Sequence, residues 1–188
     1  MKVLTLQGSA RKKGNTARVI SWMDEELTAM GHEVESVYLS SKNIKGCLAC
    51  GKCKENMEGV GCIQKDDAPE ILQKMIEAEL VVFASPLYFW GVSGPLKCLI
   101  DRTFSLYNNY HQPDHISLVK GQRQALVVTG AGPYENNAEP TFTAFGRLQG
   151  PHMAINAGEL FIGPCTSPDQ MDSSIKEKAK AFARKIVA

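Results

Sequence analysis

At 188 residues and 44% hydrophobic content, the chain is long enough to bury one substantial core, and a single domain over residues 1–188 is expected. Its 21 basic and 20 acidic side chains leave a net charge of +1, too weak a field to gather nucleic acid or an anionic membrane surface. No apolar run approaches bilayer length, and the opening MKVLTLQGS lacks the features of a secretory signal, so a cytoplasmic protein is expected.

Val3 to Leu6 is a short, branched apolar run without strict alternation, which predicts a strand buried on both faces. From Thr16 to Met30, Val19, Ile20, Met23, Leu27 and Met30 form a helical stripe that Gly31 ends. Glu33 to Leu39 alternates better and predicts a strand nearer the sheet edge, followed by a long insertion, Ser40 to Lys65. Asp67-Ala68-Pro69-Glu70 offers a capping acid, an early proline and a reciprocal glutamate before Ile71, Leu72, Met75 and Ile76. Leu80 to Ala84 is a second central strand, and Ser93-Gly94-Pro95 opens a helix through Phe104. After a second insertion, Tyr107 to Gln122, come a strand at Ala125 to Val128, a weakly marked helix at Glu135 to Gly150, a strand at Gly158 to Ile162, and a last helix carrying Ile175, Ala179, Phe182 and Ile186. This alternation predicts an α/β fold, a parallel sheet covered on both faces through right-handed crossovers.

In such sheets ligands sit outside the carboxyl ends of the strands. The first loop there, Gly8-Ser9-Ala10-Arg11-Lys12-Lys13-Gly14-Asn15-Thr16, combines glycines, hydroxyls, a helix start and a cationic side chain, which suits a phosphate. It lacks the lysine of a Walker loop, the third glycine of a dinucleotide fingerprint and the cysteine of a phosphatase, so a permanently held terminal phosphate fits best. The second, Ser85-Pro86-Leu87-Tyr88-Phe89-Trp90-Gly91, places three aromatics beside that cradle, as a flat heterocycle would require. The third, Thr129-Gly130-Ala131-Gly132-Pro133-Tyr134, offers backbone amides to the edge of such a ring.

Taken together, GSARKKGNT, SPLYFWGVSGPLKCLIDR and VVTGAG resemble the NADPH-dependent FMN reductase family, in the same order over nearly the whole chain. The resemblance implies a flavodoxin-like fold with a five-stranded parallel sheet in the order 2-1-3-4-5 and helices on both faces. It implies that FMN is bound, its phosphate by Ser9, Arg11, Asn15 and Thr16, its ribityl chain and ring by Pro86, Leu87, Tyr88, Phe89 and Trp90, with Thr129, Gly130 and Gly132 flanking the ring. It also implies an NAD(P)H donor and a homodimer or homotetramer. The flavin N5 would carry the chemistry, with no catalytic side chain required.

The insertion carries Cys47, Cys50, Cys53 and Cys62 in the spacing C-x2-C-x2-C-x8-C. Three thiolates at steps of three can close around a cubane with a distant fourth completing it. This resembles the iron-sulfur flavoprotein branch of the same superfold, with a longer last gap, and implies a [4Fe-4S] cluster and electron exchange with a ferredoxin. Free redox-active thiols and a zinc site remain alternatives. Cys98 and Cys165 read as buried or incidental thiols, and His32, His111, His115 and His152 share no ligand spacing. The expected activity is an FMN-dependent oxidoreductase passing electrons from NAD(P)H to a quinone, a metal or another acceptor. An electron-transfer protein between ferredoxin and FMN is the alternative.

Overall fold

The computed structural model describes residues 1–55 and 58–188. The main sheet comprises β1 (Lys2–Gln7), β2 (Glu33–Tyr38), β3 (Leu80–Pro86), β6 (Arg123–Thr129) and β7 (Ile155–Ile162). All four pairings are parallel, in the order β2-β1-β3-β6-β7, which is the expected 2-1-3-4-5 once a separate hairpin is set aside. That hairpin, β4 (Tyr107–Asn108) with β5 (Ile116–Ser117), organises the second insertion. The helices are α1 (Asn15–Ala29), α2 (Ala68–Glu77), α3 (Gly94–Arg102), α4 (Glu139–His152) and α5 (Ser173–Val187).

The strands divide their side chains between two cores because successive residues point to opposite faces. Val3, Leu80, Val82, Ala84, Ala125 and Val127 face Val19, Ile20, Met23 and Leu27 of α1 and Ala179, Phe182 and Ile186 of α5. Leu4, Leu6, Val81, Phe83, Leu126 and Val128 face Ile71, Leu72 and Met75 of α2, Leu96 and Leu99 of α3, and Phe142 and Phe145 of α4. Each such fully buried branched or aromatic side chain contributes roughly 1.5–3 kcal/mol before conformational entropy is subtracted.

Helix ends differ from expectation in instructive ways. Gly31, at φ 85°, completes a C-terminal motif in which its N–H and that of His32 donate to Thr28 and Leu27 carbonyls at 3.0 and 3.1 Å. Asp67 does not cap α2 with its side chain. Its Oδ2 instead accepts from the Asn43 amide at 2.7 Å, and Asp66 Oδ1 takes the Ala68 amide at 3.2 Å. Helix α3 stops at Arg102, two residues before the expected Phe104, because Thr103–Leu106 tightens into a 3-10 turn. The weakly marked fourth helix runs from Glu139 to His152, later than expected, and β7 begins at Ile155, earlier than expected.

Candidate functional site

β1 leads out to β2 on one side of the sheet while β3 lies on the other, so the strand order reverses between β1 and β3. Above this point the three loops predicted from sequence line one cleft of about 210 Å3. Its walls are Ser9, Arg11, Gly14, Asn15 and Thr16, then Pro86, Leu87 and Tyr88, then Thr129, Gly130 and Ala131, with Cys165 and Thr166 closing the far side. A depression of about 940 Å3 along α1 and β2 is larger, but it brings none of the second or third loop together and is walled by Ser21, Asp24 and Ser36.

The first loop is tied at both ends. The Gly8 amide donates to Ala84 O at 2.8 Å, and the Gly14 amide to Arg11 O at 3.1 Å. The glycines are needed here for close contact within the protein: a Cβ on Gly8 would lie 2.5 Å from Ser93 Oγ, and one on Gly14 would lie 2.8 Å from Arg11 Cβ. Gly14 is the N-cap of α1 and brings no side chain to it, so the first-turn amides have no intrahelical or capping partner. Ser9 is buried, with its Oγ accepting from the Arg11 amide at 3.2 Å. The exposed Arg11 guanidinium lines the cleft and meets no protein acceptor among the described residues. Free helix amides and an unpaired guanidinium form a cradle for an anion.

Thr16 and Thr129 are both buried, and their hydroxyls meet at 2.8 Å, joining the first and third loops. Asn15 Nδ2 donates to Cys165 O at 3.2 Å, while its Oδ1 is buried without a partner. The Cys165 carbonyl thereby fixes the amide's orientation, because a flipped amide would set oxygen against oxygen. Asn15 is thereby left with one unpaired buried acceptor, Oδ1. Cys165 also donates its amide to Gly130 O at 2.8 Å, and burial pushes its thiol pKa up. Sequence reading had set Cys165 aside, and no local motif marks it. Its position just past β7 was the available signal.

Phe89 and Trp90 do not line this cleft. Tyr88 and Gly91 exchange backbone hydrogen bonds at 2.9 and 3.1 Å, and the two residues between them take φ 47° and 61°. Both aromatics therefore occupy left-handed positions that glycine or asparagine usually fills. They line instead a second, largely apolar cleft of about 540 Å3, walled by Phe83, Ile100, Ala144, Phe145 and Leu148 between α3 and α4. Phe89 is 94% exposed and Trp90 58%. Gly132 also lies off the first cleft, where a Cβ would meet Asn137 Nδ2 at 2.9 Å.

The four clustered cysteines line one further pocket together with Gln64, Arg102, Phe104 and Ser105. Cys47 and Cys50 are exposed, Cys62 is half-buried and Cys53 is buried, its thiol pushed up by that burial. Among the described residues, no three His, Cys, Asp or Glu side chains gather as a single ion would require. A cubane takes its thiolates at four separate irons, so thiols spaced around one pocket suit a cluster better than a lone zinc.

Two aspartates clip the base of this insertion. Besides Asp67 with Asn43, Asp66 Oδ2 accepts from the Lys45 amide at 2.9 Å and from Arg102 Nη1 at 2.7 Å, and Oδ1 from Arg102 Nη2 at 3.0 Å. Both side chains of the Asp66–Arg102 pair are fully excluded from solvent. Burial works against both charges, yet the mutual hydrogen bonds hold the Asp66 pKa down and the Arg102 pKa up, the latter also through the Cys62 sulfur. Lys54 pins the far side: its ammonium donates to Phe104 O and Tyr107 O and lies 3.6 and 4.5 Å from the ring centroids of those residues.

The fold and these loops define an FMN reductase-type α/β protein, and similarity bears that out. The profile of the NADPH-dependent FMN reductase family matches residues 1–154, and the chain belongs to that family. It is 35% identical over 132 residues to an iron-sulfur flavoprotein of Archaeoglobus fulgidus, covering 70% of this chain and 56% of that protein. It is 42% identical over 103 residues to an iron-sulfur flavoprotein of Methanocaldococcus jannaschii, covering 55% of this chain and 52% of the relative. The chain thus spans about half the length of these curated relatives. A structure of an FMN-dependent NADH-azoreductase from Bacillus anthracis in complex with FMN superposes with a TM-score of 0.73 at 14% identity over the whole of both chains, a likeness of fold. No helix among the described residues is long and apolar enough to cross a membrane.

Proposed function

We propose that residues 1–188 form one flavin-binding domain, with a cysteine insertion at about 40–65, that works as an FMN-dependent NAD(P)H oxidoreductase. The observation that carries this reading is the convergence of three separated loops on one cleft whose floor is an unsatisfied helix N-terminus beside an unpaired arginine. Arg11, Ser9 and the first-turn amides of α1 would hold the phosphate. Asn15 Oδ1, oriented by Cys165, would accept from a ribityl hydroxyl, which assigns it a different part of the ligand from the one its family position implies. Pro86, Leu87 and Tyr88 would line the ring, with the Gly130 backbone at its edge. When bound, FMN supplies the hydride and electron chemistry, taking reducing equivalents from NAD(P)H and passing them to a quinone, a metal or another acceptor.

A second reading, an iron-sulfur flavoprotein that relays electrons between ferredoxin and FMN, is favoured by one observation: Cys47, Cys50, Cys53 and Cys62 line a single pocket. The relatives named iron-sulfur flavoproteins support it. The protein is further read as a homodimer or homotetramer, with Phe89 and Trp90, exposed on a strained turn, in the subunit contact.

Anaerobic purification followed by flavin, iron and sulfide analysis tests both readings. Bound FMN bleached rapidly by NADH or NADPH is the expected result for the first. Stoichiometric iron and sulfide with slow nucleotide bleaching and fast reduction by ferredoxin would establish the second. A preparation with no FMN and no affinity for it on reconstitution refutes the flavin assignment.

A further inference from the structure

We infer that Arg102 is the positioning residue of the thiol pocket, donating its Nε–H to the Cys62 sulfur of a cluster held there and raising that cluster's reduction potential. The inference rests on the iron-sulfur reading above. Arg102 ends α3, yet its side chain runs into the base of the insertion, where Nη1 donates to Lys45 O at 3.0 Å and to Asp66 Oδ2 at 2.7 Å, and Nη2 to Asp66 Oδ1 at 3.0 Å. This bidentate clamp fixes the plane of the guanidinium. One donor atom is left over. Arg102 Nε is buried without a formed hydrogen bond, and of the four cysteines that share the wall of its pocket, Cys62 is the one whose sulfur acts on the guanidinium.

A purely structural arginine would be expected to spend all its donors on the protein, since a buried unpaired N–H is costly. Lys54, the neighbour of Cys53 in sequence, behaves that way: its ammonium is engaged by Phe104 O and Tyr107 O and lies over two aromatic rings. Arg102 thus differs from Lys54 in keeping a buried donor atom that no backbone oxygen takes. A thiolate or cluster sulfur is an acceptor that satisfies it. On one-electron reduction the added negative charge spreads onto the sulfurs, so an N–H donor there favours the reduced state and lifts the potential. Asp66 is then the residue that holds Arg102 in place, and the Lys45 and Ala68 amides hold Asp66.

The test uses protein labelled with ¹⁵N-arginine, purified without oxygen, reconstituted with iron and sulfide, and reduced with dithionite. Pulsed electron paramagnetic resonance reads magnetic coupling between the reduced cluster and an arginine nitrogen; a redox titration reads the midpoint potential. Arg102 is the arginine that lines the pocket. The expected result is a ¹⁵N coupling in the wild type that Arg102→Lys abolishes while it keeps the charge opposite Asp66. In that variant reduction becomes at least tenfold less favourable, equal to about 59 mV for one electron. Iron-loaded wild type without the coupling, or an Arg102→Lys protein of unchanged potential, overturns the role of Arg102 and leaves the cluster reading intact. Protein that holds no iron and sulfide after reconstitution overturns both. Should Arg102→Lys fail to fold, the coupling in the wild type decides alone.

Discussion

His152 makes this fold sensitive to acid by an amount that can be worked out. It closes α4 with no exposed surface, its Nδ1 3.1 Å from Gln124 Oε1 and its Nε2 2.9 Å from Thr103 Oγ1. Burial drives its pKa from 6.5 to about 4. The folded state therefore binds the proton less readily than the unfolded chain, so this contribution is fully present above pH 6.5, declines as pH falls, and is gone once pH passes the folded value. Integrating between the two pKa values, the loss is about 1.4 kcal/mol at pH 5.5 and about 3 kcal/mol at pH 4, relative to pH 7.5. The assay is urea denaturation across this range for the wild type and for His152→Gln, which keeps hydrogen-bonding capacity without titrating. The stability gap between the two proteins should shrink, and can reverse, by about 3 kcal/mol between pH 7.5 and 4. Parallel pH profiles would refute the account, because other titrating groups are shared by both proteins.

Three further outcomes are expected. Arg11→Ala should weaken FMN binding about 10- to 100-fold, the range for a charge-assisted hydrogen bond, and leave riboflavin binding nearly unchanged; equal losses for both ligands by fluorescence titration would place Arg11 away from the phosphate. Asp66→Ala strands the buried Arg102 charge and should cost about 3–5 kcal/mol, with faster modification of Cys47 and Cys50 by a thiol reagent as the insertion loosens; unchanged unfolding midpoints and thiol rates would contradict the clip. Replacing Phe89 and Trp90 with the turn pair of F89N/W90G should stabilise the isolated chain by about 1–2 kcal/mol and lower its oligomeric state in light scattering. A destabilised variant of unchanged assembly would count against both the strain and the proposed contact.

The sheet was legible in the sequence because strands buried on both faces must be apolar throughout and their crossover helices must carry one apolar stripe. Val3 to Leu6, Leu80 to Ala84 and the stripe from Val19 to Leu27 all occupy the predicted places. The anion cradle was legible too, since Gly14, Asn15 and Thr16 mark a helix start whose cap brings no side chain. The ends of α3 and α4 were not: the Thr103 hydroxyl donates to Ile100 O and also meets His152, 49 residues away, a pairing that no local pattern reports.

Other decisions belong to tertiary structure alone. Sequence spacing grouped Phe89 and Trp90 with Tyr88, but a two-residue turn with positive φ swings them out of the cleft that the three loops line and toward α3 and α4. Asn15 stood out in the sequence as part of the first loop, yet only the Cys165 carbonyl, 150 positions on, fixes which end of its amide is left unpaired. The four cysteines announced themselves by spacing. What the sequence left unstated is that Arg102, at the end of α3, is held by Asp66 in the wall of the pocket those thiols line, with its Nε left without a hydrogen bond. Spacing along the chain reports which groups can act together locally, whereas the partner of a buried charge is chosen by the fold that excludes water from both.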